Sequence, residues 1–276
     1  MKNIFDTDGA RARCLKYRRR ILEVSQRVSA LHIAPAFSCL EIVDCIYGGL
    51  MRRGPTGGFR DIFLLSKGHG CMAQYAILED LGILPRSALD SYCTADGLLG
   101  AHPDLGVPGI AAATGSLGHG LGMALGMALA ERMRKVTPLE QNTVYAVLSD
   151  GEVQEGSTWE SIMLATSLNA SNLVMVIDNN DFQSLGRTSE THPSFYPLES
   201  KFAAFGWEVA SVDGHDGAAL FETIRNRSAE KPLAVIAKTT KGKGVSYMEN
   251  VPLWHYRAPN PEEYRRALAD IEAAYA

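Results

Sequence analysis

The sequence predicts an α/β fold built on a doubly wound parallel sheet with helices on both faces. Three observations carry that expectation. Five short apolar runs, residues 62–65, 144–148, 173–177, 208–212 and 233–237, have strand length and strand composition. They run as continuous apolar stretches, which a sheet covered on both faces requires. Helical stretches separate them, at residues 10–30, 39–48, 72–81, 118–135, 157–168, 218–227 and 261–275. Strand and helix in alternation mean parallel strands joined by right-handed crossovers.

The chain has 276 residues, enough for a full hydrophobic core in one domain spanning 1–276. Apolar residues make up 46 % and charged residues 21 %, which excludes a disordered chain or a coiled coil. With 27 basic and 31 acidic side chains and no basic block, nucleic acid is not an expected partner. Residues 1–20 carry charges of both signs and lack the apolar centre of a secretory signal. Cys14, Cys39, Cys45, Cys71 and Cys93 contain no C-x-x-C pair. They fit reduced cysteines of a cytoplasmic protein.

Residues 105–130 hold no charged side chain, long enough to suggest a membrane span. Seven glycines, Pro108 and His119 argue otherwise. A glycine-rich loop and then a buried helix fit better, with Arg132, Arg134 and Lys135 suiting its C-terminus. The stretch is expected to be core or subunit interface, not membrane.

In parallel sheets, ligands sit where the chain leaves the carboxyl ends of the strands. Three such turns are chemically unusual: Ser66-Lys67-Gly68-His69-Gly70, Ser149-Asp150-Gly151-Glu152, and Asp178-Asn179-Asn180-Asp181-Phe182. Asp150 and Asn180 lie one strand–helix–strand unit apart, so they should emerge side by side. A carboxylate and an amide oxygen suit Mg²⁺, which prefers an octahedron of oxygens. A turn carbonyl and a bound diphosphate would complete the shell, with Gly151 admitting the phosphate closely. Gly118, Gly120 and Gly122 do not form a dinucleotide fingerprint, because position 123 is Met and no strand precedes them directly. Lys241 and Lys243 lack the glycines of a P-loop.

The D-G and N-N turns resemble the thiamine diphosphate motif, and further segments resemble the transketolase family. These are D-I-F-L-L-S-K-G-H-G at 61–70, G-S-L-G-H-G at 115–120, K-T-T-K-G-K-G at 238–244, and Trp254-His255. The markers run from His32 to His255 but cover only the first half of a transketolase. The chain therefore resembles the N-terminal subunit of a split bacterial transketolase.

The resemblance implies thiamine diphosphate as cofactor with Mg²⁺, for which Ca²⁺ or Mn²⁺ can substitute. It implies Asp150, Asn180 and the main-chain oxygen of Phe182 as metal ligands. It places His69, Gly151 and His255 at the diphosphate, and Gly115, Ser116 and Leu117 along the middle of the cofactor. His32, His102 and His255 would face a sugar substrate, and Glu155 would sit at a subunit contact beside the cofactor. His119, His192 and His215 are expected to be structural or surface residues. The pyrimidine-binding and C-terminal domains, with the activating glutamate, would lie on a separate chain, giving an α₂β₂ heterotetramer. An α subunit of a 2-oxo acid dehydrogenase shares the thiamine motif, but the 61–70 and 238–244 segments favour transketolase. A non-catalytic cofactor-binding or scaffolding subunit is disfavoured by the intact Asp150, Asn180 and His69. The family commonly has glycines after the first substrate-facing histidine and after the last. Here Ile33-Ala34-Pro35-Ala36-Phe37 and Tyr256 stand there, and both are expected to reshape the substrate channel.

Overall fold

The computed structural model describes residues 5–55, 57–134, 141–184 and 186–275. Among these residues, seven strands run in chain order: β1 Ile62–Leu65, β2 Val144–Ser149, β3 Leu173–Asn179, β4 Phe182–Gln183, β5 Gly186–Arg187, β6 Glu208–Asp213 and β7 Leu233–Lys238. Five of them form one parallel sheet in the order β1-β2-β3-β7-β6, as expected. The α-helices are α1 Thr7–Ser25, α2 Ile33–Cys45, α3 Cys71–Asp80, α4 Arg86–Asp90, α5 Gly120–Met133 and α6 Gly156–Ser167. They continue with α7 Thr188–Thr191, α8 Leu198–Ala204, α9 Gly217–Arg225 and α10 Pro261–Tyr275.

The central strands are apolar on both faces because each feeds two cores. Tyr145, Val147, Val174, Val176 and Val235 point to the layer of α1, α2, α3, α9 and α10. Val144, Ala146, Leu148, Met175, Ile177 and Ile236 point to the layer of α5, α6 and α8. Residues 208–212 depart from the expectation of a doubly covered strand. β6 lies at the sheet edge and is half-buried to exposed along most of its length.

Two helix starts also differ from the sequence expectation. The N-cap carboxylate of Asp6 accepts the Gly9 N–H at 2.9 Å, so α1 begins at Thr7 and ends by Ser25. α2 begins at Ile33, not at Cys39, and passes into a π-helical turn, Ile46–Leu50. Pro35 is tolerated because it falls in the first turn, where its missing N–H has no intrahelical partner. The register turns Ile33 and Phe37 into the core, fully buried. Neither side chain can therefore line a channel directly. The expected helix end at Lys135 lies outside the described residues, and the helix there runs only to Met133. The span Ile33–Leu50, apolar and long enough to cross a membrane, is 83 % buried as a core element.

Beneath the carboxyl ends of the strands, a buried ion pair joins Lys67 to Asp178. The Lys67 ammonium also donates to the Pro35 carbonyl at 3.1 Å, and Asp178 accepts from the hydroxyls of Ser38 (2.7 Å) and Thr239. The pair thus ties the exits of β1, β3 and β7 to the start of α2. Asp178→Ala should cost about 3–5 kcal/mol in urea unfolding, because it strands a buried ammonium. A loss below about 1 kcal/mol, the level of an exposed pair, would remove this pair from the stabilising contacts.

Candidate active site

The register pairs Ser149 with Asp178 on adjacent strands, so the next residues of β2 and β3 leave the sheet together. After β1 the chain forms a 3₁₀ turn, Gly68–Gly70, carrying His69. After β2 comes Asp150 and a second such turn, Glu152–Gln154, with Glu155 as the exposed N-cap of α6. After β3 come Asn180 and the β4–β5 hairpin, and after β7 comes Lys241. These turns enclose a cleft of about 330 Å³ with Leu117 and His255 among its walls. A larger groove of about 1170 Å³ between α1, α3 and α10 is walled by paired surface charges such as Arg19–Glu272. Chemistry, not size, distinguishes the cleft.

Asp150 is fully buried. Its Oδ2 accepts the Asp181 N–H at 2.6 Å and the Tyr196 hydroxyl at 2.8 Å, and its Oδ1 accepts only the Gly151 N–H, at 2.9 Å. One lone pair of Oδ1 is therefore left for a cation. Burial pushes this carboxyl up to about 7, against the lowering effect of the Tyr196 hydrogen bond. The Asn180 amide donates to Ser38 Oγ at 2.9 Å, which leaves its oxygen to the Phe182 N–H and to a ligand. The Phe182 carbonyl lies 3.5 Å from where a Cβ on Gly151 would stand, and Gln183 Cβ lies 3.2 Å from it. The hairpin thus closes over Gly151, where a side chain would crowd Gln183. Carboxylate, amide oxygen and carbonyl form an all-oxygen set for a hard divalent ion. Among the described residues no group of three His, Cys, Asp or Glu side chains forms a metal site.

Four imidazoles gather at the mouth. The His32 ring lies 5.9 Å from His69, 5.6 Å from His102 and 5.3 Å from His255, centroid to centroid. Burial, then repulsion from His255 and His102, pushes His32 down to about 3. Burial, then Lys241, pushes His255 down to about 4, and burial holds His69 well below its usual value. These three rings are neutral at pH 7. The buried His32 Nδ1 has no hydrogen-bond partner in the protein, as expected of an atom reserved for a ligand. The His102 ring packs against Gly115, where a Cβ would come within 2.7 Å and φ is +124°. That glycine is obligatory for the ring's position. Ser116 is exposed, and Leu117 and Gly115 line the cleft.

Sequence reasoning brings together the residues that the cleft unites but misses others. Lys241 is buried, with Nζ 3.0 Å from His255 Nδ1 and donating to the Ser184 carbonyl at 3.1 Å. Burial, then Lys67, lowers it to about 8. With Lys67 it supplies a second buried cation on the walls, suited to a diphosphate. Its G-K-G run is the available signal, which by itself reads only as an incomplete P-loop. Tyr196, a partner of Asp150 from 46 residues away, has no local signal at all. Of the segment 33–37, only Pro35 lines the cleft. Tyr256 does stand at the mouth, half-exposed, with its ring 4.5 Å from His32. His119 and His192 are exposed, and His215 is bound to Glu41 and the Thr240 N–H, away from the cleft.

Residues 18–265 match the transketolase, thiamine diphosphate binding domain family. The chain belongs to that family. It is 37 % identical over 261 residues to an apulose-4-phosphate transketolase subunit of Phocaeicola vulgatus, covering 93 % of this chain and 91 % of that one. It is 35 % identical to the 6-deoxy-6-sulfo-D-fructose transketolase subunit of a Clostridium species, covering 92 % and 93 %. Among solved structures it resembles transketolase from Campylobacter jejuni, with TM-score 0.85 and 25 % identity over 95 % of this chain. It spans 42 % of that longer chain. The fold is the thiamine diphosphate-binding fold.

The imidazoles generate a pH prediction. Unfolded histidines titrate at about 6.5, above the folded values of about 3 for His32 and about 4 for His255. Below that pH the unfolded chain binds protons that the folded chain refuses, so stability falls as pH drops towards 4. Urea unfolding across this range should show the fall, and His32→Gln should remove part of its slope. A slope identical in the variant would place the His32 ring in free contact with solvent.

Proposed function

We propose that this chain is the diphosphate-binding subunit of a two-chain transketolase, moving a two-carbon ketol unit from a ketose to an aldehyde. The ketose would be phosphorylated or otherwise modified. The observation that carries this reading is the convergence of Asn180, Phe182 and two buried ammonium groups on the walls of one cleft, with Asp150 buried next to Gly151 of that wall. Such a set would hold Mg²⁺ and the diphosphate of thiamine diphosphate, while Gly115 and Leu117 would flank the middle of the cofactor. When bound, the cofactor supplies the carbanion and the electron sink. The protein's own task is placement and proton management. His32, His102 and His255 can donate to a developing alkoxide or accept a hydroxyl proton near pH 7.

A second polypeptide is supported by the names of the relatives, which describe each as one subunit of a transketolase, and by the surface of α5 and α6. Gly122, Gly126 and Ala130 are exposed along α5, and Met163, Leu164 and Leu168 are about half exposed on α6 and at its end. Glu155 stands exposed on the cleft rim beside this face. We therefore propose an α₂β₂ assembly with two symmetry-related sites built from both chains. Five cysteines without a disulfide, four of them buried, fit a reducing, cytoplasmic setting.

Thiamine diphosphate with Mg²⁺ should raise the melting temperature of this chain mixed with its partner far more than that of this chain alone. In the mixture, Asp150→Ala should weaken cofactor binding at least tenfold, about 1.4 kcal/mol, by titration calorimetry. Unchanged affinity would sink the metal-site assignment. Tyr256→Gly should shift relative kcat/KM among ketose donors several-fold, whereas Phe37→Leu should lower stability and leave the donor profile alone. Identical profiles for both variants would free Tyr256 of any part in selectivity.

A further inference from the structure

Glu152 is fully buried and does not line the cleft, and its side-chain hydrogen bonds reach neither the proposed metal ligands nor the imidazoles. Its Oε1 accepts two hydrogen bonds. One comes from the hydroxyl of Ser66, the residue before Lys67, and one from the N–H of Gly118 at 3.0 Å, the residue after Leu117. Its own N–H donates to Ser149 Oγ at 3.1 Å, so the turn after β2 is held as well. Oε2 is buried without a partner.

The two loops that meet on Oε1 approach each other as closely as backbone allows. A Cβ on Gly68 would come within 2.8 Å of Gly115 Cα, and one on Gly120 within 2.0 Å of Ser66 Oγ. Packing of this kind excludes side chains but has no directional element of its own. The shared acceptor supplies direction, because each donor must point at the same atom.

We propose that Glu152 is a positioning residue that clamps the 66–70 loop to the 115–118 loop through one oxygen. The acceptor, not the negative charge, is what the cofactor cleft requires of it. The proposal rests on the thiamine diphosphate reading for its ligand but not for the clamp. A glutamine at this position keeps an oxygen for both donors and puts an amide where Oε2 now lies unpaired. A leucine of similar bulk keeps the packing and removes the acceptor.

The test compares Glu152→Gln and Glu152→Leu in the full chain, alone and assembled with its partner subunit. In the chain alone, hydrogen exchange should quicken at least tenfold at residues 66–70 and 115–118 in the leucine variant, with β3 and β7 amides unchanged. In the assembly, the Kd for thiamine diphosphate with Mg²⁺ should rise at least tenfold, while kcat at saturating cofactor stays within about threefold. The glutamine variant should return both measurements to within about threefold of wild type. Ser66→Ala, which deletes one donor, should give a smaller change in the same direction and serves if the leucine variant does not fold. Wild-type exchange and affinity in Glu152→Leu would overturn the proposal, as would a glutamine variant as impaired as the leucine one. If the wild-type assembly takes up no thiamine diphosphate, the cofactor reading fails, and the exchange measurements still decide the clamp.

Discussion

The cleft depends on the burial of the Lys67–Asp178 ion pair. Taking two charges out of water costs several kcal/mol per ion unless other groups complete their hydrogen bonding. Here the Pro35 carbonyl, Ser38 and Thr239 do so, and Ser38 also receives the amide of Asn180. One compensated pair therefore fixes the start of α2, the exits of three strands and the orientation of a proposed metal ligand. Apolar residues in its place would fill the space but leave Ser38, the partner of the Asn180 amide, without its buried acceptor.

The same close tolerance governs the glycines. Gly68, Gly115, Gly118 and Gly120 lie where a Cβ would meet backbone or another side chain at under 3 Å. Three loops converge there without bulk, which leaves room for a ligand and brings His102 onto Gly115. Close packing alone would leave the loops free to slide, and the hydrogen bonds to Glu152 and Asp178 supply the missing direction.

Electrostatically the cleft sets buried cations directly beside neutral rings. Lys67 is paired with Asp178, whereas Lys241 donates to a carbonyl and lies beside His255, so the charge of Lys241 favours an anion such as a diphosphate. His32, His69 and His255 are forced neutral by burial and by those cations. The neutral rings retain both a donor and an acceptor, as hydroxyl chemistry needs. A divalent ion at Asp150 would hold its carboxylate ionised in a place where burial alone favours the protonated form.

Much of this is legible in the sequence. Continuous apolar runs for the buried strands, the D-G and N-N turns about thirty residues apart, and the G-H-G turn are local signals, and each lies where the sheet needs it. The core helices are legible because their apolar content persists over many residues, although α2 starts six residues before the Cys39 that the pattern suggests. Pro35 occupies the first helical turn, and the helix that starts there places Ile33 and Phe37 in the core. The sheet edge at β6, the union of Tyr196 with Asp150, the cation of Lys241 beside His255, and the sharing of Glu152 by two loops are not legible. Each joins residues that lie far apart in the chain and carry no mark of their partner. Turn chemistry and periodicity are properties of neighbouring residues, so the sequence by itself determined them. Which turns meet follows from the strand order β1-β2-β3-β7-β6 and from the packing of two helical layers, and only the tertiary structure decided that.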